Sequence, residues 1–431
     1  MKGKIDRSFL RDINFLSFLV ATVLSALGDS ANYILLSWFI VDVTGSEGTL
    51  GTALLCMSIP RLFFMLIGGV TADRINRKYI LIFSALARGL VLGTFSLVLG
   101  KGNTPFVMRT IYLMATLFGI VDAFFWPARD SMIPQVVPKG QLAAANSVIQ
   151  TAQQISTVVG PLLASLLLHL ANYPVRFLTT AAVFLGSAML LAILRLDPAS
   201  NGEKTVDEGK SSVLQDLSAG IRYVLTIRPI TLIMVIAFFM NILAMGPLSI
   251  GIPVLVKNLG WSGSAFGYLE GAVGIGAIIG GIITGLAKGF RGHYRILAIF
   301  IAGMGSGIAA TGFMHNLEFG ITAMLVVGMM MTMVSIPIFT YMQTVSDREM
   351  LGRVMSLFSL TSMGLGPVSY AATSFILEHD IADAQTVMIT GGTLMAITGL
   401  CIMLFRDFRT MEEHPSWKNI GFHENKNVKK V

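Results

Sequence analysis

The chain has 431 residues, of which 54% are hydrophobic and only 13% charged, with a mean hydropathy of +0.73. A soluble domain cannot hide that much apolar surface, whereas a bilayer accepts it, which excludes a soluble enzyme or binding module. The net charge is +7, and the two cysteines, Cys56 and Cys401, sit far apart in apolar segments, so no disulfide framework is implied.

Apolar stretches recur at 15–42, 48–72, 79–100, 105–127, 141–170 and 173–194, then at 229–256, 263–287, 294–314, 318–342, 352–377 and 383–404. Each reaches the roughly 20 residues that a helix needs to cross hydrocarbon. The first is too long for the apolar part of a secretory signal and lacks a small-residue cleavage site, so a membrane helix is expected there. The sequence therefore predicts an all-α membrane protein with twelve transmembrane helices in two six-helix pseudo-repeated bundles. The expected division is 1–194 for the first bundle, 195–228 for a linker with an interfacial helix, 229–405 for the second bundle and 406–431 for a basic tail.

Lys and Arg fall mostly on one side of these spans. Arg74, Arg77 and Lys78 follow the second and Lys288, Arg291 and Arg295 the eighth, while the opposite side carries only Lys101, Arg176 and Lys257. By the positive-inside rule both termini are expected to be cytoplasmic, in the inner membrane of a prokaryote. The basic excess is a topology signal, and no nucleic-acid partner is implied.

Ionisable groups at membrane depth are costly, so each is a functional candidate. Asp29 lies mid-way along the first span and Arg61 mid-way along the second, at comparable depth. They are expected to neutralise one another, either as a fixed pair or as one that responds to a proton or substrate. Arg88 lies mid-way along the third span, and Arg109 in the outer half of the fourth can snorkel. Glu270 is the one acid well inside a helix of the second half and is, with Asp29, the candidate proton carrier. Asn32, Gln150, Gln153, Asn241 and Gln343 are further candidates for a substrate cavity, together with Asp29, Arg61 and Glu270. No H-E-x-x-H is present, and the six histidines show no metal-ligand spacing, so neither metal nor cofactor is expected. The "GKSS" at 209–212 lacks the leading Gly and the strand of a phosphate loop.

The loop "GGVTADRINRKYIL" (68–81) is echoed after the eighth span by "TGLAKGFRGHYRIL" (284–297), and "VVGPLLAS" (158–165) by "GLGPVSYAATS" (364–374). Such parallel repeats suit a two-half transporter. Gly69-x-x-x-Asp73-Arg74-x-x-Arg77-Lys78 resembles the signature between the second and third helices of the major facilitator superfamily, with Asn76 where a Gly is usual. Ser156-x-x-x-Gly160-Pro161 resembles the motif of that family's proton-coupled exporters, with Gly366 and Pro367 the corresponding packing positions of the second half. Phe118 stands where the family's fourth helix usually carries an Arg motif. "FFWPARDSMIPQVVPKGQLAAANS" and "YMQTVSDREMLGRVMSL" are similar to the macrolide-efflux and siderophore-exporter branch. The resemblance implies a monomeric proton-coupled exporter of amphipathic small molecules, working by alternating access, whose partners are its substrate, protons and membrane lipid. An uptake carrier or lysophospholipid flippase of the same fold is the alternative. It also implies a peripheral third helix, and hence a structural Arg88.

Physically, the loop charges read as a conformational latch. Asp73 can face the positive end of a helix, and Arg77 can pair with an acid at the inner end of another, for which Asp122 is the expected partner.

Overall fold

The computed structural model describes residues 11–100, 104–138, 141–170, 172–195, 213–287, 290, 294–347 and 350–404, and at 66, 69–74, 104–105, 143, 170, 213–217, 294 and 363 the backbone alone. Half of the expected linker, 196–212, and the whole of the expected tail lie outside these residues. No strand is present among the described residues, and the protein is an all-α membrane protein.

Ten helical segments are long and apolar enough to cross a membrane, and an eleventh apolar helix, Arg295–Thr311, is shorter. The expected span at 352–377 is two helices of 13 residues each, broken at Gly364 and Leu365.

The chain divides into two compact units. The first comprises Met1–Asp207 and Val256–Gly271, the second Glu208–Leu255 and Ala272–Val431.

In the first unit, α1 (Ile13–Thr44) starts on Asp12, whose side chain accepts from the Asn14 N–H at 2.8 Å. It is followed by α2 (Glu47–Arg74), α3 (Arg77–Leu99), α4 (Thr104–Val136), α5 (Leu142–Leu170) and α6 (Tyr173–Ile193). Asn76 and Asn172 cap α3 and α6 by accepting from the Lys78 and Val175 N–H groups. Helix α1 packs on α5 and α6, α2 on α4, and α3 on α4 and α6. At the α2–α4 crossing a Cβ on Gly119 would land on the Met57 carbonyl, so only glycine permits that approach. Helix α4 continues unbroken through Pro127 and Pro134. Pro127 cannot donate to the Ala123 carbonyl four residues earlier, and Gly68 of α2 leaves that oxygen room, with a Cβ there only 2.9 Å away.

The segment Val256–Gly271 is held to α1 and α5. The Lys257 ammonium donates to the carbonyls of Val41 and Asp42, which end α1, where a cation suits the negative end of the helix. Ser165 Oγ of α5 donates to the Ser264 carbonyl at 2.8 Å, and a Cβ on Gly267 would lie 2.6 Å from that of Ser165.

In the second unit, the expected interfacial helix is α7 (Val213–Thr226), which packs on α13 (Leu351–Met363). The long apolar stretch that follows is α8 (Arg228–Gly246), a wide turn over Pro247–Gly251, and α9 (Ile252–Asn258), whose last three residues belong to the first unit. Ser369 of α14 (Gly366–Glu378) explains where α8 stops. Its hydroxyl accepts from the Gly246 N–H and donates to the Ile242 carbonyl, both at 2.6 Å, so it inserts between two groups that would otherwise bond directly. Pro247 then adds a missing donor.

The unit continues with α10 (Gly263–Leu286), of which the part from Ala272 belongs here, then α11 (Tyr294–Thr311), α12 (Leu317–Val345) and α15 (Ala384–Ile402). Helix α11 packs on α12 and α15, and α8 on α14 and α15. A Cβ on Gly276 would meet the Leu325 carbonyl, and one on Gly328 the Val273 carbonyl. The glycine-lined crossing of α10 with α12 thus repeats that of α2 with α4, and the α11–α15 pair repeats α3–α6.

Candidate functional site

Four ionisable side chains of the first unit meet at mid-helix. Asp29 sits near the middle of α1, Arg61 of α2, Arg88 of α3, and Asp122 a little past the middle of α4. Arg88 is the hub. Its Nη1 lies 2.8 and 3.0 Å from the two oxygens of Asp29 and 3.3 Å from Asp122 Oδ1. Arg61 Nε lies 3.1 Å from Asp122 Oδ2. Two acids therefore face two bases with no net charge, which is what makes placing all four at mid-helix tolerable.

The Arg88 guanidinium is sealed in. Its side chain is wholly buried, between the rings of Phe125 and Phe184 at 4.3 and 4.6 Å from their centroids. Nε points to the Ser84 carbonyl and Nη2 to Ser25 Oγ, both at 3.4 Å. Ser25 in turn shares a 2.9 Å bond with Ser187 of α6, whose hydroxyl reaches the Ala21 carbonyl.

The two acids differ in access. The Asp122 side chain is 5% exposed and that of Asp29 is 21% exposed, so Asp29 is the one that water or a ligand can reach. Arg61 is 35% exposed, and its terminal nitrogens have no hydrogen-bond or ionic partner among the described residues.

Three expectations from the sequence are corrected. Asp29 is bound by Arg88, and Arg61 turns instead to Asp122. Arg88, set aside as structural on a peripheral helix, is the group that joins both acids. Asp122 was placed at the inner end of its span as a partner for Arg77, because the hydropathy reading stopped at Pro127. The helix continues to Val136, which puts Asp122 at mid-depth, where Arg61 and Arg88 engage it.

Of the expected latch, Gly69, Asp73 and Arg74 have side chains outside the described residues. Lys78 donates to the Ala192 and Leu194 carbonyls at the end of α6, at 3.0 and 2.7 Å, and Arg77 opens α3. Gly160 makes the α1–α5 crossing close, with a Cβ there 2.5 Å from that of Ser30, and Pro161 lies within α5. Gly366 and Pro367 begin α14, beside the Ser369 insertion.

The remaining cavity candidates are scattered. Asn32, one turn beyond Asp29, is buried with a carbonyl oxygen that accepts nothing among the described residues. Gln150 is exposed and Gln153 half-buried on α5, while Gln343 is exposed on α12. Asn241 is spent on its own helix, donating to the Ala237 carbonyl at 2.7 Å. Glu270 belongs to the segment held with the first unit, is half-buried, and has no hydrogen-bond or ionic partner among the described residues. Phe118 packs edge-to-face on Phe184, one of the rings that clamp Arg88.

The sequence model described as Major Facilitator Superfamily matches residues 18–371. The chain belongs to that superfamily. It is 23% identical over 415 residues to the multidrug efflux pump Tap of Mycobacterium tuberculosis (strain ATCC 25618 / H37Rv), covering 92% of this chain and 94% of that one. It is 25% identical over 355 residues to the enterobactin exporter EntS of Escherichia coli O1:K1 / APEC, covering 81% and 82%. Among solved structures, the nucleoside transporter NupG superposes with a TM-score of 0.72 over 91% of this chain and 98% of that one, at 12% identity, which is a likeness of fold. The protein is accordingly a membrane transporter of this superfamily, with relatives of the efflux and siderophore-export branch, and not an enzyme.

Proposed function

We propose that this transporter exports amphipathic small molecules in exchange for protons, by alternating access, with the four-residue charge cluster as its protonation switch. The observation that carries this reading is Arg88, whose one terminal nitrogen bridges the carboxylates of Asp29 and Asp122. A proton on Asp29 removes one of the two charges that Arg88 holds, and α1 is then no longer fixed to α3 by an ion pair. Arg88 remains in place, because Asp122 and the two aromatic faces still hold it. Asp29 is the acid that a proton or cargo can reach, which is the condition for the two to exclude one another. Glu270 is the second proton carrier in this reading, and the kinship with Tap and EntS supports the outward direction.

The test is export from inside-out proteoliposomes under an imposed pH gradient, with fluorescent drug-like cations as cargo. Asp29→Asn and Glu270→Gln should abolish gradient-driven transport while cargo binding survives. Normal gradient-driven transport by both variants would overturn the assignment.

One observation favours the alternative, a lysophospholipid flippase or uptake carrier. Arg61 is part-exposed and its terminal nitrogens are uncommitted, which would suit a carboxylate or phosphate head group. Lysolipid binding that depends on Arg61, with no binding of any cation, would promote that reading.

A further inference from the structure

A groove of about 450 Å³ runs along the crevice between α3 and α4, where α3 ends and α4 begins. Val91, Phe95 and Val98 line it from α3, and Phe106, Leu113 and Leu117 from α4. From Phe106 to Leu117 the helical rise spans about 16 Å. Two threonines on the wall have no hydroxyl proton to give. Thr94 donates to the Leu90 and Val91 carbonyls at 2.9 Å, and Thr110 to that of Phe106 at 2.8 Å.

Arg109 is the exception on this wall. It is exposed and has no hydrogen bond or ion pair among the described residues. It stands five residues into α4, about 8 Å from the start of the helix. The first turn of α4 carries no acidic residue that would offset the arginine's charge.

We propose that this groove binds one membrane phospholipid, with an acyl chain along the apolar wall and its phosphate on Arg109. Both bounding helices cross the membrane, so the solvent that meets the groove is lipid, and an amphiphile with an anionic head matches a long apolar trough ending at one free guanidinium. The other end of the same crevice holds a groove of about 370 Å³, lined by Tyr79, Phe83, Ile120 and Phe124 among others and by no charged residue. Lipid that merely filled crevices would treat the two alike, so the uncharged groove is an internal control.

The experiment is native mass spectrometry of the purified full-length protein in detergent, titrated with phosphatidylglycerol. The expected result is a first adduct about tenfold tighter than later ones, the difference that one charge-assisted contact supplies. Arg109→Ala should remove that difference, as should Thr94→Phe, which fills the groove without breaking any bond between helices. Tyr79→Trp should leave it intact, and millimolar glycerol 3-phosphate should not displace the adduct. All three positions are exposed, and an unchanged elution profile would establish that each variant folds. An equal first adduct in Arg109→Ala or in Thr94→Phe overturns the proposal. Equal loss in Tyr79→Trp makes the lipid a non-specific annulus and overturns it too, and displacement by glycerol 3-phosphate reduces the site to a bare phosphate contact.

Discussion

Replacing Arg88 by Met tests whether the charge cluster stabilises the first unit as its geometry implies. Methionine nearly matches the volume between Phe125 and Phe184 and makes favourable contacts with both rings, so packing loss is small. What disappears is electrostatic. Asp29 loses both of its contacts to Arg88 and Asp122 keeps only Arg61. Leaving one partner of a buried pair uncompensated costs about 3–5 kcal/mol. The companion double variant, Arg88→Met with Asp29→Asn, removes the stranded charge and should recover about 0.5–3 kcal/mol of that loss, the usual range of coupling between contacting groups. Thermal unfolding of the purified protein in detergent, at fixed detergent and lipid, reads both. An Arg88→Met midpoint equal to wild type would refute the argument, as would a double variant less stable than the single one, because a negative charge would then have been no burden.

Packing makes a paired prediction. Gly119→Leu should force α2 from α4 and prevent accumulation of folded protein, since its Cβ would take the place of the Met57 carbonyl. Gly93→Ala on α3 meets nothing within 4 Å and should leave stability unchanged or raise it, by up to about 1 kcal/mol. Equal behaviour of the two would discredit the close crossing. At the start of α15 the Asp383 carboxyl accepts from Thr386, whose bonds to it hold its pKa below the ordinary 3.8. A carboxylate with a depressed folded-state pKa stabilises above its unfolded value and loses that contribution as pH falls through the folded one. Asp383→Asn, which keeps the cap but not the charge, should therefore differ from wild type in pH dependence only below about pH 4, and a difference confined to neutral pH would contradict the assignment.

Hydropathy made the helices legible because a membrane helix needs no partner to declare itself. The spans at 79–100 and 173–194 fall within a residue or two of α3 and α6. The four ionisable residues were legible too, as charges at a depth where charge is costly. Their pairing was not, for two physical reasons. Depth was misread for Asp122 because the apolar stretch was read as ending at residue 127, whereas α4 continues to Val136. Rotation about each helix axis decides which of two nearby acids an arginine meets, and hydropathy carries no record of it. The signal that could have found Arg88 is the count of charges: with two acids and two bases at mid-depth on the first four helices, no single pair could have satisfied all four. The break at 364–365 and the Ser369 insertion left no hydropathic trace, since serine and glycine are common in membrane helices.

The hydroxyl wedged into α8 has a mechanical meaning. Ser369 gives one proton and takes one, so the Gly246 N–H and the Ile242 carbonyl are each satisfied while it is there. Were α14 to withdraw, the same two groups are positioned four residues apart and can bond to each other. Interrupted or continuous, the backbone counts the same number of satisfied donors and acceptors, apart from the one that Pro247 never had. A joint of that kind resists neither state through its hydrogen bonds, and the choice between them passes to whatever moves α14.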